Sequence, residues 1–234
     1  NNKFLSDLIY ALEKKKDLLR VRYYTSHPKD MTKDLFEAHK DCKKLMPLLH
    51  LPVQSGSDVI LKSMNRKHTI KDYFEIINTL KEKNPKIKFA SDFIIAYPGE
   101  KDDDFQKSCE LMKRVKFINS YSFIYSPRPG TPACEMDMID EKLAKKRLFV
   151  FQNLAEKIKL NYKKKLLNQK VKVLFENKMK DEKDKYFGRD EYQNPVIVHS
   201  KKNIISKEKR VLIKNFSQHT IYGELIDNVN HLAA

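Results

Sequence analysis

The sequence of 234 residues contains only three cysteines, Cys42, Cys109 and Cys134, and they lie far apart. An odd number of separated cysteines argues against a disulfide framework and predicts a reducing compartment, the cytoplasm. No two of them have the spacing of a local zinc or iron–sulfur motif. Each cysteine is therefore expected to be a small buried or half-buried side chain.

The sequence also lacks any uncharged apolar run near the roughly 18 residues that cross a bilayer. Its first residues, NNKFLSDLIYALEKKK, have the spacing of an amphipathic helix and not the pattern of a secretory leader. Glycine-rich phosphate loops and the nucleophile elbow of hydrolases are absent as well. We therefore expect neither a membrane span nor a nucleotide-binding loop nor a serine-hydrolase site.

Positive charge is abundant and unevenly distributed. The net charge is +16, from 47 Lys and Arg against 31 Asp and Glu. Residues 163–214 alone hold 16 basic and 7 acidic side chains. Such a surplus suggests an anionic partner, most simply a nucleic acid, although a lysine-rich surface can also serve solubility alone.

Hydrophobic periodicity predicts two folded parts. Strand and helix patterns alternate in the first part. The predicted strands are 20–25, 48–53, 88–97 and 121–125. The predicted helices are 4–16, 33–46, 57–64, 69–84, one that begins at Asp102, and about 140–167. Five short strands follow: VKVLFE, YFGRD, PVIVHS, KRVLIKNF and TIYGEL. The predicted fold class is α/β with a parallel sheet, followed by a small, separate all-β barrel or sandwich.

Candidate ligand-binding residues follow the predicted parallel strands, where α/β folds bind their ligands. The strand ends read TSHP (25–28), QSGS (54–57), PGE (98–100) and SPRPGT (126–131). Their small residues would let a ligand approach the backbone. We expect one polar pocket formed by His27, Gln54, Glu100 and Arg128, although each residue alone also suits a cap or turn.

The same strand ends carry a resemblance to a known family. The segments TSHPKDM (25–31), LHLPVQSGSDVILKSMNRKHT (49–69), SDFIIAYPGE (91–100) and YSPRPGTPA (125–133) resemble the radical S-adenosylmethionine methylthiotransferases. Within that family they are most similar to the branch that modifies isopentenylated adenosine in tRNA. The threonylcarbamoyladenosine branch remains an alternative. The tail, with FGRD (187–190) and YGEL (222–225), is similar to the RNA-binding TRAM domain of these enzymes.

The resemblance implies a domain plan. Residues 1–139 would form the last four strand–helix units of a six-stranded radical-SAM β/α barrel, and 140–167 a connecting helix. Residues 168–228 would form the TRAM-like domain, and 229–234 a tail.

The resemblance also implies an activity, the addition of a methylthio group to C2 of N6-isopentenyladenosine at position 37 in the tRNA anticodon loop. The cofactors would be S-adenosylmethionine and two 4Fe–4S clusters. The cluster cysteines of the family are absent from this sequence, so we expect a C-terminal portion that needs the missing N-terminal half and is inactive alone. Two alternatives are an RNA-binding module without catalysis and an unrelated metal-free enzyme using His27 or Glu100.

Individual roles are assigned by the same resemblance. Its candidate cofactor contacts are Ser26, Gln54, Ser55, Asp92 and Glu100, and its candidate RNA contacts are Arg128, Lys172, Phe187 and Arg189. Arg128 would suit the carboxylate of the cofactor equally well, because its planar fork binds either anion. Two assignments have structural alternatives: Phe187 as barrel core and Glu100 as the cap of the next helix.

Overall fold

Local sequence signals set the bounds of the helices in the computed structural model of the chain. The helix Ile70–Lys83 begins after Thr69, whose hydroxyl accepts from the Asp72 amide at 3.1 Å. The Asp72 carboxylate in turn accepts from the Thr69 amide at 2.8 Å. This reciprocal pair is the capping box predicted from the sequence. The helix ends at Lys83, just before Asn84 and Pro85, because the residue before proline avoids the helical region.

The structure describes residues 4–25, 27–180 and 182–226. The chain divides into two compact units, Asn1–Lys159 and Leu160–Ala234. The helices are α1 (Leu5–Glu13), α2 (Lys33–Asp41), α3 (Asp58–Ser63), α4 (Ile70–Lys83), α5 (Asp102–Val115) and α6 (Glu141–Lys164). The strands are β1 (Leu48–His50), β2 (Lys88–Ile95), β3 (Asn119–Ile124), β4 (Lys170–Lys178), β5 (Lys185–Asp190), β6 (Pro195–His199), β7 (Glu208–Phe216) and β8 (Ile221–Leu225). None of the described helices is both long and apolar enough to cross a membrane.

The first unit contains a parallel sheet, as the alternating pattern predicts, and its strand order is β1-β2-β3. The prediction of a strand over 20–25, the first of the four in chain order, was wrong, because this segment forms no regular strand. It contacts its neighbours through two isolated parallel bridges, Val21 with Leu45 and Tyr24 with His50. Tyr24 is exposed and Arg20 is half-buried, and Val21 is the one buried apolar residue of the segment. The segment therefore has little apolar surface with which to pack as a full strand.

Side chains of β2 alternate between two environments. Phe93 is fully buried and packs edge-on against Phe117 and also against Phe151 of α6, with ring centroids 5.6 and 4.7 Å apart. Asp92, one position earlier, points to the other face of the sheet. The helices therefore cover one face, and the polar groups of the candidate site lie on the other face or at the strand ends.

The second unit is a closed barrel in the strand order β4-β5-β6-β8-β7, which confirms the predicted small all-β part. Its core contains Val173, Phe175, Val196, Val211 and Ile213, all 0% exposed. The unit begins inside α6 and not after it. Lys163 of the last helical turn is buried and donates to the carbonyls of Ser217 and Gln218, at 3.2 and 2.6 Å.

Candidate functional site at the ends of the parallel strands

The loop after β1 returns to β2 through a residue in an unusual backbone conformation. Gln54 has φ of 74°, a region that side-chain-bearing residues rarely adopt. Its amide donates to the Asp92 carbonyl at 3.0 Å, and its carbonyl accepts from the Ile94 amide at 2.9 Å. These two bonds fix the half-buried Gln54 beside the carboxyl end of β2. Residues held in strained conformations cluster at functional sites, which supports Gln54 as a site candidate.

The next three residues, 55–57, contact α5 through hydrogen bonds. The Gly56 amide donates to the Ser108 hydroxyl at 2.8 Å, and the Ser57 hydroxyl donates to the Asp104 carboxylate at 2.5 Å. Ser55 is fully buried, and its hydroxyl accepts from the Ser57 amide at 3.2 Å. The Ser108 hydroxyl also lies 3.5 Å from the Ser55 hydroxyl. The structure therefore places Ser55 in the packing between loop and helix.

Glu100 closes the turn that follows β2. Its Oε1 accepts from the Ala96 amide at 3.1 Å and from Arg147 Nη1 of α6 at 2.9 Å. The same Nη1 donates to the Glu100 carbonyl at 3.0 Å, and Nη2 donates to Asp102 at 2.5 Å. Burial raises the pKa of Glu100, against the opposing effect of the Ala96 amide and Arg147. Glu100 thus closes its own turn, and the cap of α5 is formed by Lys101 and Asp104.

Polar and aromatic side chains lie side by side on the face of the sheet that α6 does not cover. His50 Nε2 lies 3.1 Å from Asp92 Oδ2, and the Asp92 side chain is 30% exposed. The rings of Tyr24 and Tyr121 lie 5.5 and 6.2 Å from the His50 ring. Both tyrosines are more than half exposed. This arrangement can hydrogen-bond a polar ligand and present flat rings to it.

A histidine pair lies at the loop after residue 25. The rings of His27 and His68 meet edge-to-face with centroids 4.9 Å apart. His68 is buried, and burial lowers its pKa to about 4. Burial lowers the pKa of His27 as well, and the nearby Arg66 adds to that effect. Ser26, the neighbour of His27 and a candidate cofactor contact, lies outside the described residues.

The remaining candidates are on the surface. Arg128 is exposed, and its guanidinium has no hydrogen bond or ion pair within the described ranges. Phe187 is half-buried on the outer side of the barrel, between the inward-facing Tyr186 and Gly188, so it does not belong to the core. The Arg189 guanidinium lies 5.2 Å from the Phe187 ring centroid. Lys172 projects from β4, with Nζ 3.9 Å from Glu208.

The structure therefore brings Gln54 and Asp92 together and turns Ser55 and Glu100 inward. It also shows two residues that the sequence reasoning did not place at the site, His50 and Arg147. His50 could have been found, because a histidine in the apolar strand LLHLPV needs a polar partner. Arg147 could not, because nothing distinguishes it from its basic neighbours on α6.

A family comparison finds a match within the first unit. Residues 2–112 match the model of the radical SAM superfamily. This part of the chain is therefore similar to that superfamily. It is 49% identical, over 96% of its length, to the tRNA-2-methylthio-N(6)-dimethylallyladenosine synthase of Pelagibacter ubique, of which it covers 50%. It is 45% identical to the synthase of that name in Neorickettsia sennetsu, over 93% of this chain and 45% of the relative. The chain thus spans about half the length of the curated relatives that it matches.

A solved structure has a similar fold. Coproporphyrinogen III oxidase of Escherichia coli, a radical SAM enzyme, superposes with a TM-score of 0.54 over 80% of this chain and 50% of its own. The sequence identity is 11%, so this likeness concerns the fold alone.

Similarity to radical SAM proteins implies an iron–sulfur cluster, and the described residues do not form a site that would fit such a cluster. Cys42 and Cys109 are buried, and burial raises the pKa of both thiols. A cluster ligand must instead be a thiolate. Cys134 is exposed on a separate turn. Across the described ranges, no three His, Cys, Asp or Glu side chains are grouped so that they could hold a metal.

Proposed function

We propose that this chain is part of a tRNA methylthiotransferase that modifies C2 of N6-isopentenyladenosine at position 37, in the cytoplasm. The observation that carries the proposal is the 49% identity, over 96% of the chain, to a protein named for that synthesis. In this proposal the parallel sheet is a portion of a radical-SAM β/α barrel, and the closed barrel is a TRAM-like domain. The cluster ligands and an N-terminal half would come from the length of the relatives that this chain does not span.

S-adenosylmethionine is the cofactor in this proposal, and it would supply the radical that activates an otherwise inert aromatic C–H bond. Gln54 and Asp92 are the proposed contacts of this chain, because both lie at the exposed side of the sheet and carry side-chain acceptors. Ser26 is proposed with them on the resemblance of its segment. Ser55 and Glu100 are proposed as positioning residues, since their side chains accept from backbone amides and so hold the loops after β1 and β2 in place.

The tRNA partner would contact both units. Arg128 is proposed as a contact to an RNA phosphate or to the carboxylate of the cofactor, because its exposed guanidinium has no partner within the described ranges. Phe187 and Arg189 are proposed as a stacking and charge contact on the barrel, since unstacked RNA bases stack on aromatic and guanidinium planes. Lys172 adds a phosphate contact.

A segment exchange tests the proposed activity. The matched segment of the Pelagibacter ubique synthase is replaced by this chain, and the hybrid is expressed in a host that lacks its own synthase. Mass spectrometry of digested tRNA should then detect 2-methylthio-N6-dimethylallyladenosine. A hybrid that carries Asp92→Asn should fold and lose most of the product. A folded, cluster-loaded hybrid with no product would contradict the proposal.

Two observations favour a second candidate, an RNA-binding module without catalysis. The described residues provide no cluster ligands, and the barrel carries a basic surface. In the segment exchange this candidate predicts tRNA binding with no modified nucleoside. The threonylcarbamoyladenosine branch predicts instead a methylthio group on that nucleoside, which the same digest would show.

A further inference from the structure

Two histidine rings form a buried pair where the segment 20–25 ends. The rings of His27 and His68 have centroids 4.9 Å apart and planes at 79° to each other. His68 comes from the loop before α4 and is only 5% exposed. Within the described ranges neither of its ring nitrogens has a hydrogen-bond partner of good geometry, although the Val53 carbonyl lies near the ring. Buried polar groups are normally hydrogen-bonded, so these two nitrogens point to a ligand.

His27 presents a hydrogen-bond donor to the same place. Its Nδ1 accepts from the Lys29 amide at 3.1 Å, so this nitrogen carries no proton. Burial, together with the nearby Arg66, lowers the pKa of His27, and the ring is therefore neutral at neutral pH. A neutral imidazole holds its one proton on the other nitrogen, which makes Nε2 the donor. Since His27 is half-buried and not enclosed, a small ligand can reach it.

Arg66 adds a positive charge to the two rings. It is half-buried, burial lowers its pKa, and it is close enough to lower the pKa of both histidines. Its guanidinium forms no ion pair or hydrogen bond in the part of the chain that the structure describes. Asp30 and Asp72 oppose its effect on the rings, but the Asp72 carboxylate is already bonded to the Thr69 amide. Taking a charge out of water is costly unless it is paired, so this guanidinium is suited to binding an anion.

The cluster lies at the edge of the sheet where the proposed cofactor contacts lie. Segment 20–25 runs parallel to β1, since Tyr24 is bridged to His50, so His27 follows at the carboxyl end of the sheet. Val53, whose carbonyl is near His68, directly precedes Gln54. An anion held by this cluster would therefore lie beside the place where the reaction is proposed to occur.

We propose that His27, Arg66 and His68 bind a phosphate group of the substrate nucleotide. Two rings nearly perpendicular to each other and a planar guanidinium offer donors in several directions. Such a set suits the tetrahedral oxygens of a phosphate better than the two coplanar oxygens of a carboxylate. S-adenosylmethionine contains no phosphate, so the site serves the substrate and not the cofactor. The choice of a nucleotide rests on the proposed function, whereas the anion site rests on the geometry alone.

The test records nuclear magnetic resonance spectra of the isotope-labelled histidine rings in the full chain. The probes are inorganic phosphate, adenosine 5′-monophosphate and adenosine, each added at constant ionic strength. Phosphate and the monophosphate should shift the ring nitrogen signals of His27 and His68 and leave that of the exposed His219 in place. Adenosine, which lacks only the phosphate, should not shift the signals of His27 and His68.

Two variants and a matched control assign the effect to the cluster. Arg66→Gln should weaken binding of the monophosphate roughly tenfold, because hydrogen bonds to charged groups are the strong ones. His27→Phe keeps a ring without the donor and should also weaken it. Lys67→Gln removes the same charge from the next residue, whose exposed side chain contacts Asn65, and should keep the affinity. The signal of the buried His39 shows whether each variant is folded.

Four results would overturn the proposal. They are unchanged affinity in both folded cluster variants, an equal loss in Lys67→Gln, equal shifts with acetate, and binding of inorganic phosphate without binding of the monophosphate. The titration needs neither a cluster nor methylthio transfer. Failure of the segment exchange would therefore leave its result untouched, and the two proposals fail separately.

Discussion

A single nitrogen of Arg147 donates to both the carbonyl and the carboxylate of Glu100, at 3.0 and 2.9 Å. The two side chains are 6% and 1% exposed. Helix α6 thereby holds the turn that follows β2, from Ala96 to Glu100. The turn is thus positioned by a residue 47 positions away in the sequence.

Replacement of Arg147 should destabilise the first unit strongly. Arg147→Ala leaves the Glu100 carboxylate buried without its charged partner, and such losses typically cost about 3–5 kcal/mol. Urea unfolding of the full chain measures this change. Arg114→Ala, which removes a guanidinium from the surface of α5, is the control and should cost far less. A loss below about 1 kcal/mol for Arg147→Ala would show that the pair does not hold the turn.

A side chain at Gly56 should separate the loop after β1 from α5. A Cβ built there would lie 2.5 Å from the Lys107 carbonyl oxygen and 2.6 Å from Ser108 Cα, and both atoms belong to the backbone. Gly56→Ala should therefore lower the free energy of unfolding by roughly 1–3 kcal/mol, as overpacking does. Ser126→Ala, at an exposed position, should leave it nearly unchanged. Equal stability of the two variants would contradict the close contact.

The first unit should lose stability in mild acid because of His39. Burial lowers the pKa of His39 to about 4, and its Nε2 lies 2.7 Å from the Tyr23 hydroxyl. Between about pH 6.5 and 4 the unfolded chain binds the proton more readily, so the free energy of unfolding falls as the pH falls through this window. The contribution is roughly 3 kcal/mol at most, at 1.36 kcal/mol for each pKa unit.

The variant His39→Gln tests the assignment, because it keeps a hydrogen-bonding group that does not titrate. Its unfolding free energy should depend less on pH between 7 and 4.5 than that of the unsubstituted chain. His219→Gln, which alters an exposed histidine, should leave the pH dependence as it was. An unaltered profile for His39→Gln would assign the acid sensitivity to other groups, of which the buried His68 is the first to examine.

Arg128 should matter for activity and not for folding. Its side chain is exposed and unpaired within the described ranges, so Arg128→Ala should change the unfolding free energy by no more than about 0.5 kcal/mol. In the segment-exchanged synthase the same substitution should reduce the modified nucleoside at least tenfold. Lys116→Ala provides a surface control with the same loss of charge. An unfolded Arg128→Ala variant would contradict this role.

Patterns that involve neighbouring residues were predictable from the sequence. The Thr69–Asp72 capping box, the parallel sheet and the five barrel strands all follow from local spacing. What could not be predicted depends on distant partners. Ser55 turns inward because Ser108 and Asp104 of α5 hold its loop, and Glu100 turns inward because Arg147 reaches it from α6. The segment 20–25 has strand-like composition but forms only two bridges.

Closure of the barrel links the exchange of amide protons with solvent across its five strands. Every strand from β4 to β8 has a hydrogen-bonded neighbour on both sides, with β4 and β7 completing the circle. No strand can detach without breaking two ladders, so the five strands should open together. Amide protons of β4 and β7 should then exchange with deuterium at one shared slow rate. Strands β4 and β7 should therefore resist local opening as much as the other strands of the barrel do.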